Sequence, residues 1–285
     1  MVKILTNRPL HPVTFAVLKA LYLIAKKHNA SYFLIGAPAR DILMTHVFGI
    51  EAGRATRDVD FAIAVEDWQQ FEIIKQEFID SGEFAPSMGQ AHRLYYRPGQ
   101  FGPAYPLDLI PFGTIEQSGH NIVWPPEMAI VMNVAGYAEA LSSAIEIDVG
   151  DGLVSNVIAI PALAALKLLA WNDRGLLDNK DAQDLFFLIK HYHAAGNIDR
   201  LYDEGYHLLE QCDFEIEVAG ATLLGFDIQL ILEQNTREAL LDVLRDSGKR
   251  YRLLVHMDRS IAADVLVTAR FLDQFERGLG LITLS

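Results

Sequence analysis

The chain has 285 residues, 51% of them apolar and 21% charged, a balance that suits a buried core and excludes wholesale disorder. Its net charge of −13 excludes holding a long polyanion by bulk electrostatics, because phosphate binding needs clustered Lys and Arg. The single cysteine, Cys212, excludes an internal disulfide and a CxxC metal site, and a reducing, cytoplasmic compartment fits it best.

Pro9, His11 and Pro12 interrupt any charged-then-apolar leader pattern. Residues 13–28 space their apolar side chains as a helix does and end in a basic turn. SYFLIGAPARD predicts a strand running into a tight turn at Gly36, and ARDILMTHVFG a helix after it. TRDVDFAIAV alternates as a strand, and residues 66–81 form an amphipathic helix. HRLYYRP and YPLDLIPFG are strand candidates, followed by AIEIDVG and NVIAIP.

From Pro161 onward the pattern is helical, in LAALKLLAW, NKDAQDLFFLIKHYH, ATLLGFDIQLILEQ, TREALLDVLRD and ADVLVTARFLDQFERG. The longest apolar stretch, Val154–Trp171, contains Asn156, Pro161 and Lys167, so it reads as core and no membrane contact is expected. The fold class is therefore α+β, a mixed sheet with flanking helices over residues 1–158 followed by a helical domain over 159–285.

Three features carry chemistry. Strand, Gly36-Ala37 and helix make a turn where backbone N–H groups can meet a phosphate chain. Asp58 and Asp60 are two apart on a strand, so both carboxylates point to one face, where two like charges favour a cation between them. Hard oxygen donors select Mg²⁺ or Mn²⁺. Asp108 sits alone in an apolar strand. Beside the first two acids it would complete a site for two metals about 3.5–4 Å apart and accept a proton from an attacking hydroxyl. The alternatives are a solvated face for the Asp-x-Asp pair and, for Asp108, a buried acid paired with an Arg. Arg40 and Arg57 flank the site, either neutralising phosphate or pairing with Asp41 or another neighbouring acid. His92-Arg93 are candidates to reach it from the start of a strand.

IGAPARDILMTHVFG with TRDVDFAI, and then IPALAALKLLAWNDRGLLDNKDAQDLFFLIKHY, resemble the polymerase-beta-type nucleotidyltransferase superfamily. Within it the resemblance is to the toxin-like bacterial branch related to abortive-infection nucleotidyltransferases. It spans roughly residues 30–193, with a weaker echo in ATLLGFDIQ. It implies that Asp58, Asp60 and Asp108 bind the catalytic metals, and that Gly36 and Ala37 meet the triphosphate. Lys167, with Asp173, Arg174 and Lys180, would meet the nucleotide or the acceptor across a cleft.

The implied activity is transfer of a nucleoside monophosphate from an NTP to a hydroxyl of tRNA, protein or a small molecule. A partner antitoxin is a further implication. Ala37-Pro38 departs from the family's Gly-Gly or Gly-Ser and removes one N–H donor, so the alternative is a degenerate nucleotide-binding module of a toxin–antitoxin or regulatory pair. Arg245, Lys249, Arg250, Arg252, His256 and Arg259 are the one local basic stretch, a footprint for tRNA or a solvated helix face.

Overall fold

Val59, Phe61, Ala62, Ile63 and Val65 are all buried along one extended segment, so the strand they form is covered on both faces and lies inside a sheet rather than at its edge. The computed structural model describes residues 1–52, 59–99, 103–125, 128, 130–257 and 265–280. The chain divides into two units, Met1–Ile158 and Ala159–Ser285.

The strands of the first unit are β1 (Val2–Lys3), β2 (Tyr32–Ile35), β3 (Val59–Val65), β4 (Phe84–Pro86), β5 (Arg93–Tyr96), β6 (Tyr105–Gly113), β7 (Asn121–Val123), β8 (Val131–Asn133), β9 (Ile145–Asp148) and β10 (Val154–Val157). Among the described residues, eight of them form one sheet in the order β1-β9-β10-β2-β3-β6-β5-β4, while β7 and β8 pair as a separate hairpin. The sheet is mixed. β3 runs antiparallel to β2 and parallel to β6, and β5 is antiparallel to β6.

Helix α1 (Pro12–Lys27) starts where His11 Nδ1 accepts the Val13 N–H, and Pro12 occupies its first turn. It buries Val17, Leu18, Leu21 and Ala25, one stripe at helical spacing. Helix α2 (Gly36–Asp41) begins at the glycine itself, three residues before the predicted start, and continues as a π-helical turn over Ile42–Val47. In α3 (Trp68–Asp80) Asp67 caps the first turn by accepting the Gln70 N–H at 2.7 Å. Lys27 on α1 reaches Glu77 on α3 at 2.6 Å. Phe33 of β2 packs edge-on against Phe112 of β6 and against Tyr137 of the short α4 (Tyr137–Ser142).

The second unit is helical: α5 (Ile160–Arg174), α6 (Lys180–His191), α7 (Ile198–Tyr202), α8 (Tyr206–Gln211), α9 (Ile216–Ile231), α10 (Gln234–Arg245), α11 (Ser247–Met257) and α12 (Val265–Gly278). The strand predicted over NVIAIP instead runs Val154–Val157. Pro161 fits the first turn of a helix, so Ile160 already opens α5. Helix α9 is buried nearly all round and meets α12 at two glycines; a Cβ on Gly278 would stand 2.9 Å from Gly225 Cα. The α+β class, with its flanking helices and helical C-terminal part, is as the sequence predicts. No helix among the described residues is long and apolar enough to cross a membrane.

Candidate active site

The site grows from strand register. On β3 Asp60 lies opposite Asp108 of the parallel neighbour β6, and opposite Ile35 of β2, the last residue before Gly36. Neighbouring strands stand about 4.8 Å apart and partners share a face, so the two carboxylates belong to one spot. Both acids are half-buried.

Gly36 closes the other side. Its φ of +70° is left-handed, and a Cβ there would collide with Asp60 Oδ2, with Cγ at 3.2 Å and Cβ at 3.3 Å. A glycine is needed at this turn for both reasons. Ala37 follows half-buried, and Pro38 is buried within the first turn of α2.

Arg93 of β5 lies opposite Asp108 and grips it in a fork, Nε to Oδ1 and Nη2 to Oδ2, each 2.6 Å. The pairing of Asp108 with an Arg, held open in the sequence, is thus realised, and Arg93 reaches Asp108 from the start of its strand. The fork leaves Asp108 further acceptor capacity, because an ionised carboxylate offers about four lone-pair sites. His92, next door, packs against Trp124 with ring centroids 5.6 Å apart. Burial pushes its imidazole pKa down, Asp108 opposes that, and Arg93 and Lys75 add to it.

Arg40, on α2, is 1% exposed, and its Nε donates to Asp41 Oδ1 at 2.8 Å. Of the predicted carboxylate trio, Asp58 lies outside the described residues, as does Arg57. Among the described residues no group of three or more His, Cys, Asp or Glu side chains could hold a metal ion. The donor chemistry nonetheless fits one. Two hard carboxylates stand in register, and the missing side chain of Gly36 makes space for that of Asp60.

In the second unit Lys167 of α5 is buried between Asp181 Oδ1 at 2.9 Å and Asp184 Oδ2 at 2.8 Å, both on α6. Arg174 Nε holds the other oxygen of Asp181 at 2.7 Å while its side chain is largely exposed. Burial alone would lower the Lys167 pKa, but the two carboxylates outweigh it and raise it above the usual range. Burial opposes ionisation of Asp181, yet Lys167 and Arg174 hold its pKa down at about 2. A nucleotide contact from Lys167 therefore requires drawing its ammonium away from two acids. Lys180 is exposed and pairs with Asp178 at 2.8 Å, and Asp173 is exposed.

Asp184 was not singled out by its sequence. Its signal is the spacing from Asp181, one helical turn apart and just before the apolar run Leu185–Ile189, on the helix that follows Lys167.

The basic stretch forms α11 and the end of α10, with Arg259 outside the described residues. Arg245 pairs with Glu238 and Asp242, and Arg250 with Asp273 and Glu276. Arg252 lies over the Trp171 ring at 4.9 Å, and Trp171 Nε1 donates to His256 Nδ1 at 3.0 Å.

Three solved structures resemble the chain distantly. An antigenic nucleotidyltransferase-like protein from Paracoccidioides brasiliensis aligns at 18% identity and TM-score 0.43, over 64% of this chain and 78% of its own. The antibiotic-resistance factor ANT(2'')-Ia aligns at 12% identity and TM-score 0.36, over 71% and 98%. The Thermotoga maritima CCA-adding enzyme complexed with tRNA aligns at 10% identity and TM-score 0.27, over 96% and 82%. No curated protein matches the chain. The family model for the nucleotidyl transferase AbiEii toxin of the type IV TA system matches residues 43–252, a span that contains Asp60, Asp108 and the Lys167–Asp181–Asp184 network. The chain belongs to this AbiEii family and is a nucleotidyltransferase.

Proposed function

We propose that the chain moves a nucleoside monophosphate from an NTP to an acceptor hydroxyl at Asp60 and Asp108, with Asp58 as their third carboxylate. The observation that supports this reading best is the register that sets Asp60 opposite Asp108 with Gly36 against Asp60. Mg²⁺ or Mn²⁺ held by these acids would supply the positive charge that an NTP's phosphates and the leaving pyrophosphate need.

The chain's own residues do the rest. The backbone at Gly36 and Ala37 approaches the triphosphate, since neither residue carries a bulky side chain. Asp108 accepts the proton of the attacking hydroxyl. The acceptor oxygen bonds to the α-phosphorus as the bond from that phosphorus to pyrophosphate breaks. Arg40 and Arg57 balance charge around the acids, and Lys167, Arg174 and Lys180 are the second unit's cations for nucleotide or acceptor. The acceptor class is a hydroxyl of tRNA, protein or a small molecule, and the partner an antitoxin, in keeping with a family of TA toxins. A cytoplasmic setting, where NTPs are plentiful, suits a chain with one buried free thiol.

The test is thermal stability with Mn²⁺ and each NTP, on wild type and Asp60→Ala, followed by pyrophosphate release against the three acceptor classes. A metal-dependent rise that one nucleotide enlarges, and that Asp60→Ala lacks, is the expected result. Pyrophosphate released by Asp60→Ala at the wild-type rate would sink the assignment. Nucleotide binding by wild type with no pyrophosphate release under any acceptor would point to the binding-module reading.

A further inference from the structure

Arg93 and the cation just proposed have the same chemical task. Asp60 and Asp108 face each other across neighbouring strands, and two carboxylates so placed repel unless positive charge offsets them. Arg93 supplies such charge from within the chain, with both of its bonds to Asp108 at 2.6 Å and both side chains largely withdrawn from water (23% and 14% exposed). A fork of this kind occupies the side of the carboxylate where lone pairs of both oxygens converge, so while it persists a single metal can reach Asp108 only through an outward lone pair of one oxygen. A metal held by one remaining lone pair, at about 2.0–2.1 Å for Mg²⁺, would stand close to a guanidinium of like charge. His92 beside Arg93 and Lys75 near by supply no compensating negative charge.

We propose that Arg93 is a resident counter-cation that competes with the divalent metal for Asp108, an autoinhibitory contact that holds the metal-free site closed. Free metal then binds weakly, and metal accompanied by a triphosphate binds well, because the phosphates bring the negative charge that a displaced Arg93 needs. This inference rests on the metal reading of Asp60 and Asp108.

The experiment is a Mn²⁺ titration of the full-length chain, followed by the electron paramagnetic resonance of free Mn²⁺, without nucleotide and then with a non-hydrolysable NTP analogue. It uses wild type, Arg93→Met, Arg93→Lys and Asp60→Asn. Without nucleotide, Arg93→Met should bind Mn²⁺ at least about tenfold more tightly than wild type, with Arg93→Lys between them because a lysine keeps the charge and loses the fork. The analogue should shrink that gap by tightening wild type more than Arg93→Met.

Equal or weaker Mn²⁺ binding by a folded Arg93→Met, with binding still lost in Asp60→Asn, overturns the counter-cation and leaves the metal reading standing. Where Arg93→Met fails to fold, Arg93→Lys decides in the same way. Binding by Asp60→Asn equal to wild type, or no Mn²⁺ bound by any variant even with the analogue, overturns the metal reading itself.

Discussion

Gly36 carries two constraints at one residue: a left-handed φ of +70° and the carboxylate of Asp60 where a side chain would begin. Gly36→Ala meets both, so it should lower stability by about 1–3 kcal/mol, as strained backbone does. It should also lower nucleotidyl transfer at least tenfold, since about 1.4 kcal/mol in the transition state is that much rate. Denaturant midpoints and initial rates check the two effects. A variant as stable and as fast as wild type would mean that the turn relaxes freely.

Asp181 makes a prediction in pH. Its folded pKa of about 2 lies below the usual carboxylate value, so the unfolded chain binds more protons, and stability from this group is present above about pH 4. It is lost as pH falls from about 4 to 2. Urea midpoints between pH 5 and 2 should fall less steeply in Asp181→Asn than in wild type. Identical acid limbs would show that Lys167 and Arg174 do not stabilise the ionised form.

At the scale of elements, the α9–α12 crossing depends on two glycines that let the backbones meet. Gly278→Ala places a methyl 2.9 Å from Gly225 Cα, and the contact is with backbone on both helices, which cannot rotate away. Overpacking of this kind costs typically about 1–3 kcal/mol, read as a lower melting temperature with the helical circular dichroism retained. A melting temperature within a degree of wild type would show that the helices slide apart without penalty.

The strand and helix periods in this chain are local signals and were legible residue by residue, as in α1 and β3. The misplaced end of β10 and the unpredicted β7–β8 hairpin are short segments, where three or four residues hold too little periodicity to separate strand from turn. The helix start at Gly36 escaped because nothing local distinguishes a glycine ending a strand from one opening a helix.

At the scale of the whole molecule, a net charge of −13 meets a basic stretch whose Arg245 and Arg250 are already paired with acids. Polynucleotide binding should therefore be weak: a labelled single strand at 150 mM salt should bind no tighter than about 100 µM, the weak end of the non-specific range. Fluorescence anisotropy checks it. Binding tighter than about 1 µM would reveal a cationic surface that outweighs the net charge.

The likeness to nucleotidyltransferases stood on the motif residues around Gly36, Asp58 and Asp60; composition and patterning alone determined that this chain folds with a core and that a sheet precedes the helices. Those are properties of neighbours in sequence, where spacing of two or 3.6 residues is enough. Only the tertiary structure decided that Asp60 meets Asp108, that Arg93 takes Asp108 from 15 positions away, and that Lys167 lies between Asp181 and Asp184. Each of those pairings depends on which strands and helices become neighbours and in what register. A shift of one residue in β6 would turn Asp108 to the opposite face while leaving every local pattern unchanged.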